Sequence, residues 1–194
     1  MAVNIRKLEV MPGDIFLTRG SSWVSRAIRK FQRSPGEPKS WVNHVGMFMQ
    51  ETRFTHAIGI EALHTVKQHN VYDRYKRKKE MIAIARYEPF VKQDRYEVSI
   101  EASRFTNAKY GYAKIGGNFG DYLLSKIKGK EVFFFRNRFK TKRRPICSIL
   151  DSLAYATKKV LFLQKDPKTV QPDDIWDEIV KNPDWVFILP LTRI

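Results

Sequence analysis

Residues 43–50, NHVGMFMQ, alternate: Val45, Met47 and Met49 fall on one side of the chain, His44, Gly46, Phe48 and Gln50 on the other. A two-residue period suits a strand with two distinct faces and does not suit a helical surface, so this segment commits the fold to a sheet. Neighbouring strands can be read on both sides of it. DIFLTR, residues 14–19, follows a Pro12-Gly13 turn signal. Residues 55–66, THAIGIEALHTV, read as a strand or a hairpin, MIAIARYEP as a buried strand ended by Pro89, and WVFILPL as a closing strand.

Helical spacing fills the intervals. SSWVSRAIRKFQ, opened by the cap candidates Ser21 and Ser22, aligns Trp23, Ala27, Ile28 and Phe31, and residues 94–107 align Val98, Ala102 and Phe105. A shorter helix is expected around GDYLLSKI after a KYGY turn, and another from Cys147 to about Leu163. PDDIWDEIVK places Asp173 and Asp174 where a helix dipole favours acids. Residues 129–145, GKEVFFFRNRFKTKRRP, interrupt the pattern and are expected to form a loop or an edge excursion. Antiparallel-like strands with helices before and after them predict an α+β fold. A chain of 194 residues without internal repeats fits one domain, 1–194.

Cys147 is the only cysteine, so an internal disulfide is excluded and no pair of thiols offers a zinc or iron-sulfur site. The thiol is either a small core residue or a reactive group. A working nucleophile needs its pKa lowered by a helix start, a cation or a histidine base, and it needs access. Pro145 and the helix beginning near Cys147 satisfy the first condition. At 100° per residue the apolar face of this helix is Ile149, Leu150, Leu153, Val160 and Leu161, which places Cys147 near the rim and predicts partial exposure.

Four histidines are available as a base. His44 stands at the entry to the alternating strand, where a side chain can be held rigidly toward a neighbouring helix. His56 and His64 flank a less regular segment, and His69, in the polar QHN stretch, reads as solvated. An imidazole base also needs a group to orient it. Glu61 is the candidate, an acid bordered by Ile58, Ile60, Ala62 and Leu63, with a strand-edge glutamate facing water as the alternative.

The order of these pieces resembles a known family. PGDIFLTRG, NHVGMFMQ, GIEAL, KYGY and ICSILDSLAYA, followed by QPDDIW, together are similar to the circularly permuted NlpC-type papain-like cysteine hydrolases, the YiiX-like branch related to lecithin retinol acyltransferase. The similarity runs from about Pro12 to Ile175. It implies a permuted papain-like fold with an antiparallel sheet packed against helices. It also implies a Cys147 nucleophile, a His44 base, an orienting Glu61 and an oxyanion hole from the backbone N–H groups of Cys147 and Ser148, with no metal or organic cofactor. Two departures stand out: Ile146 occupies a place where such proteins often carry an aromatic residue, and the basic run before it is foreign to the pattern.

That run belongs to the strongest compositional signal. The formal charge is +16, and it concentrates in RYKRKK, residues 74–79, and RNRFKTKRR, residues 136–144. The first reads as a solvated loop. The second follows Phe133, Phe134 and Phe135, so Arg136, Arg138, Lys140, Lys142, Arg143 and Arg144 are candidates for contact with an anion or an acidic membrane surface, nucleic acid being the weaker expectation. The function expected is a cysteine hydrolase or acyltransferase acting on a peptide, amide or acyl-lipid substrate. Its rival is a non-catalytic basic protein on the same scaffold. The N-terminal stretch carries Arg6, Lys7, Glu9 and Asp14 where a secretory signal would be apolar, and no apolar run reaches the roughly 18 residues of a membrane span. A cytoplasmic protein is expected, at most peripheral to a membrane, or a phage product released by lysis.

Overall fold

In a computed structural model of the chain, residues 4–22, 25–26, 29–30, 40–109 and 146–194 are described. The helical face of Trp23, Ala27, Ile28 and Phe31, the KYGY turn beyond Lys109, the GDYLLSKI helix and the whole 129–145 stretch lie outside these residues.

The alternation at 44–50 arises because the sheet is buried on both faces. Strand β3 (His44–Phe48) lies between β2 (Ile15–Arg19) and β5 (Ile58–Ala62), and the antiparallel order is completed by β6 (Val66–Asn70) beyond β5 and by β7 (Met81–Tyr87) and β8 (Trp185–Arg193) beyond β2. A separate ribbon pairs β1 (Glu9–Val10) with β4 (Thr52–Arg53). On one face Leu17, Val45, Met47 and Ile60 pack with Val98 and Ala102 of α2 (Lys92–Ser103) and with Leu150 and Ala154 of α3 (Cys147–Ala156). On the other, Phe16, Phe48 and Phe54 pack with Val71 and Tyr75 of α1 (Val71–Lys78). Each strand therefore supplies apolar side chains in both directions, and what distinguishes the faces is size and aromaticity. The class is α+β, with helices on an antiparallel sheet.

Helix α1 corrects the solvated-loop reading of residues 74–79. The Asn70 side chain accepts the Asp73 N–H at 2.8 Å, Val71 and Tyr75 bury one turn apart, and Lys79 closes the helix in the left-handed region at φ 53°. Two buried residues at this spacing dock a helix whose remaining positions are long charged side chains with good helix propensity. Helix α3 is shorter than the spacing predicts. The Thr157 hydroxyl donates to the Ala154 carbonyl at 2.6 Å and Lys159 turns at φ 61°, so Val160 and Leu161 leave the helical face assigned to them. The closing strand β8 is an edge, where exposed Pro190 is tolerated because no neighbour needs its N–H, and its register slips opposite Ile82–Ile84. Helix α4 (Pro172–Lys181) begins as expected, with Gln171 and Asp174 in a capping box.

A candidate active site

His44 is the first residue of β3, and its register is fixed from both sides: it pairs with Thr18 of β2, while the preceding Asn43 N–H donates to the Thr18 carbonyl at 3.0 Å. Glu61 lies across the adjacent strand pair. Gly46, two residues beyond His44 on the same face, makes room for it. A Cβ at Gly46 would stand 2.9 Å from the Glu61 Cβ, 2.7 Å from the Ile60 carbonyl oxygen and 2.4 Å from the Phe16 ring. Through that gap the Glu61 Oε2 accepts a short hydrogen bond from His44 Nε2, which leaves Nδ1 as the imidazole's other working nitrogen.

The third residue arrives with α3. Ile146 caps that helix, Cys147 is its first residue, and the helix packs against β3 and β5. The Ser148 hydroxyl donates to the Val170 carbonyl at 2.7 Å, tying the start of α3 to the segment that opens α4. The Cys147 thiol forms a side-chain hydrogen bond with His44 and receives the backbone N–H groups of Val45 and Ser148. Cys147, His44 and Glu61 are thus brought together from three separate elements. The N–H groups of Cys147 and Ser148 are the first two of α3, where a helix leaves its N–H groups without intrahelical acceptors. The partial exposure expected for the thiol is not found: Cys147 is only 4% exposed and belongs to the core cluster, while the His44 side chain is 14% exposed.

Burial alone would raise the thiol pKa, but the His44 charge and hydrogen bond, with the two N–H groups, bring it below the ordinary value. For His44, burial works against the cation, and the charges of Cys147 and Glu61 outweigh it, so the imidazole is pushed well above its usual range. Glu61 is fully buried, which would favour its neutral form, yet the charge and hydrogen bond of His44 and the contact with His69 hold it far below the normal carboxylate range. Each of the three shifts favours the charged form, thiolate, imidazolium and carboxylate in a row.

Glu61 has more partners than the sequence revealed. The Tyr75 hydroxyl donates to its Oε2 at 2.5 Å, and His69 Nε2 and Arg74 Nε lie 2.7 and 3.0 Å from its Oε1. His69 is therefore a correction. It is part of β6, paired with Gly59 and turned to Glu61, and not a solvated loop residue. Arg74, assigned to a solvated run, is likewise drawn in by α1. His56 and His64 are exposed and stand outside this cluster. Asp151, one helical turn beyond Cys147, was not anticipated: it is fully buried, and among the described residues neither carboxyl oxygen has a hydrogen-bond partner. Burial first, then the nearby Cys147 charge, push its pKa well up, which favours the neutral acid.

The basic candidates Arg136, Arg138, Lys140, Lys142, Arg143 and Arg144, with Phe133–Phe135, lie outside the described residues. Among the described residues no helix is long and apolar enough to cross a membrane. No family model matches the chain, and no curated protein matches it.

Proposed function

We propose that the chain is a cysteine hydrolase or acyltransferase of the permuted papain-like type, cleaving a peptide, amide or acyl-ester bond through a thioacyl-enzyme. The observation that carries this reading is the hydrogen-bonded line from the Cys147 thiol through His44 to a buried Glu61. An antiparallel sheet whose histidine-bearing strand packs against the helix that begins at the cysteine supports the fold assignment, with base and acid preceding the nucleophile along the chain.

In this mechanism the Cys147 thiolate attacks the substrate carbonyl carbon, and the oxygen takes up the electron pair against the N–H groups at the start of α3. Collapse of the tetrahedral species expels the amine or alcohol, which leaves with the proton carried by the His44 imidazolium. Water or an acyl acceptor then loses a proton to neutral His44 as it attacks the thioester, and the second collapse releases the product acid or ester and restores the thiolate–imidazolium pair. Glu61 fixes the ring and stabilises its charged form throughout, while Tyr75, His69 and Arg74 fix Glu61.

Alkylation of Cys147 by iodoacetamide, followed by mass spectrometry across pH, tests the reading. The expected profile has its midpoint below that of a free thiol, about 8.5, and His44→Ala moves it upward. Labelling confined to alkaline pH in both proteins would leave the second reading, a basic binding module. That reading rests on the charge of +16, and its affinity for DNA or acidic vesicles would fall steeply with salt.

A further inference from the structure

Three arginines gather beside His44. Arg19 ends β2 one residue beyond Thr18, the strand partner of His44. Arg29 Nη1 donates to the Gly20 carbonyl at 2.7 Å and reaches Asn43 Oδ1 at 3.4 Å, and the same Asn43 oxygen accepts the Gly20 N–H at 2.8 Å. Arg29 is thus pinned to the residue next to His44 through neutral acceptors only. Arg26 precedes Arg29 by one helical turn, with exposed side chain. Among the described residues no carboxylate pairs with any of the three. Burial, followed by the repulsion of Arg19 and Arg26, lowers the pKa of Arg29.

The other buried arginines of this protein are treated differently. Arg86 and Arg95 both meet Asp14, at 2.7 and 3.4 Å. Where an arginine staples the fold it has an acid within 4 Å; among the described residues the cluster beside His44 has none at that distance, the Glu80 carboxylate standing by Gly20, 3.3 Å from where a Cβ there would lie. Its edge is flat and partly open: the Arg19 guanidinium lies 5.9 Å from the centre of the Trp41 ring, and Trp41, 44% exposed, stacks on Trp176 of α4 at 6.3 Å. The Cys147 sulfur receives the Val45 N–H, and Asn43, two residues earlier in the chain and just ahead of β3, is the residue that Arg29 reaches.

We propose that Arg19, Arg26 and Arg29 form an anion subsite beside the nucleophile, which seats a phosphate or carboxylate group carried by the substrate. A planar guanidinium fork matches either group in a two-bond fit, and the bound anion supplies a counter-charge that no ion pair among the described residues gives these three side chains. The proposal rests on the reading of Cys147 as a nucleophile, deepens it by naming the substrate's charge, and explains how a chain of charge +16 uses part of that excess locally.

The ratio of Cys147 alkylation rates with iodoacetate and with neutral iodoacetamide, measured at physiological salt, reads this subsite directly. The imidazolium contributes equally in every variant, so the ratio isolates the arginines. Arg19→Gln and Arg26→Gln are each expected to lower it about threefold, as loss of one screened charge at this range would. Arg19→Lys retains most of it, and Lys159→Gln, beyond the far end of α3 and about 15 Å from the thiol, leaves it unchanged. Arg26, exposed, is the variant that spares the fold if Arg19→Gln does not. Inorganic phosphate and acetate are then added as competitors against iodoacetate: protection by phosphate alone assigns a phosphoryl substrate, protection by both assigns a carboxylate. Protection by neither, or a ratio that none of the arginine variants moves, overturns the subsite while leaving the nucleophile intact. Slow alkylation by both reagents would instead sink the nucleophile itself, and the substrate class with it.

Discussion

Glu61 and Asp151 are both sealed from solvent around the same thiol, yet their pKa values are pushed in opposite directions. Glu61 projects from β5 into a space bordered by β6 and α1, and those elements deliver His69, Arg74 and Tyr75 in addition to His44 from β3. Asp151 sits in the second turn of α3 among buried Leu150, Ala154 and Tyr155, where the helix backbone is already self-paired and, among the described residues, no side-chain donor reaches it. Depth of burial alone does not decide which way a carboxylate's pKa moves here. The donors that the neighbouring elements supply decide it, and only the donor-rich carboxylate orients the imidazole.

The strongest challenge to this contrast is to neutralise Glu61. Glu61→Gln keeps the shape and removes the charge that His44, His69 and Arg74 face, so it is expected to destabilise the fold by about 3 kcal/mol, the low end for breaking a buried ion pair because its partners are part-exposed. Alkylation of Cys147 at neutral pH should slow at least tenfold, since the imidazolium loses its stabilising neighbour. Chemical denaturation and labelling kinetics measure the two effects separately. An ionised Glu61 that served only to hold the fold would give the first without the second.

Gly46→Ala attacks the geometry and leaves every charge in place. The added methyl meets the Ile60 backbone and the Glu61 Cβ at under 3 Å, contacts that cannot relax without moving β5. Overpacking of this kind costs about 1–3 kcal/mol. The thiol's pH midpoint should rise as Glu61 is pushed from His44, although no ionisable group has been altered.

The three residues that converge at the candidate site are more legible in the sequence than their surroundings. Cys147, His44 and Glu61 each carry a local anomaly: the only thiol, a histidine opening an alternating strand, and an acid in an apolar run. His69, Arg74 and Tyr75 carry none, because their role depends on β6 folding back beside β5 and on α1 docking through only Val71 and Tyr75. A six-residue basic run hides such a helix, since its two anchors are outnumbered by charges. The burial of Cys147 was misjudged for a related reason. The assigned face counted Val160 and Leu161, which the turn at Thr157–Lys159 removes, and the actual helix is enclosed on most sides at its start, from Cys147 through Ser152. Nothing in the sequence announced Asp151, for an aspartate one turn into a helix has no periodic signature of depth.

Tyr75→Phe subtracts one donor from Glu61 and leaves the rest. A hydrogen bond to a charged acceptor contributes about 1.5 kcal/mol, so stability should fall by about that amount and the thiol midpoint should rise slightly. A loss as large as that of Glu61→Gln would mean that Tyr75 alone, and not the convergence of donors, keeps Glu61 ionised.

Asp151→Asn gives the smallest effect and the one with the opposite sign. The folded-state pKa of Asp151 is raised above the unfolded value of about 3.9, so whatever stability the neutral acid contributes is fully present below that pH and is lost as pH rises through the folded value. Asparagine has the same shape and never ionises, so the variant should match the parent near pH 3.5. Above that it should become progressively more stable, by about 1 kcal/mol or more at neutral pH, in denaturant titrations run as a pH series. Because Asp151 makes no hydrogen bond to the thiol, the imidazole or Glu61, the labelling rate of Cys147 should change little, in contrast with Glu61→Gln. A parent and variant whose stabilities run parallel from pH 4 to 8 would show that Asp151 finds a donor after all. The distinction between the two carboxylates would then lie in their distance from the imidazole and no longer in their charge.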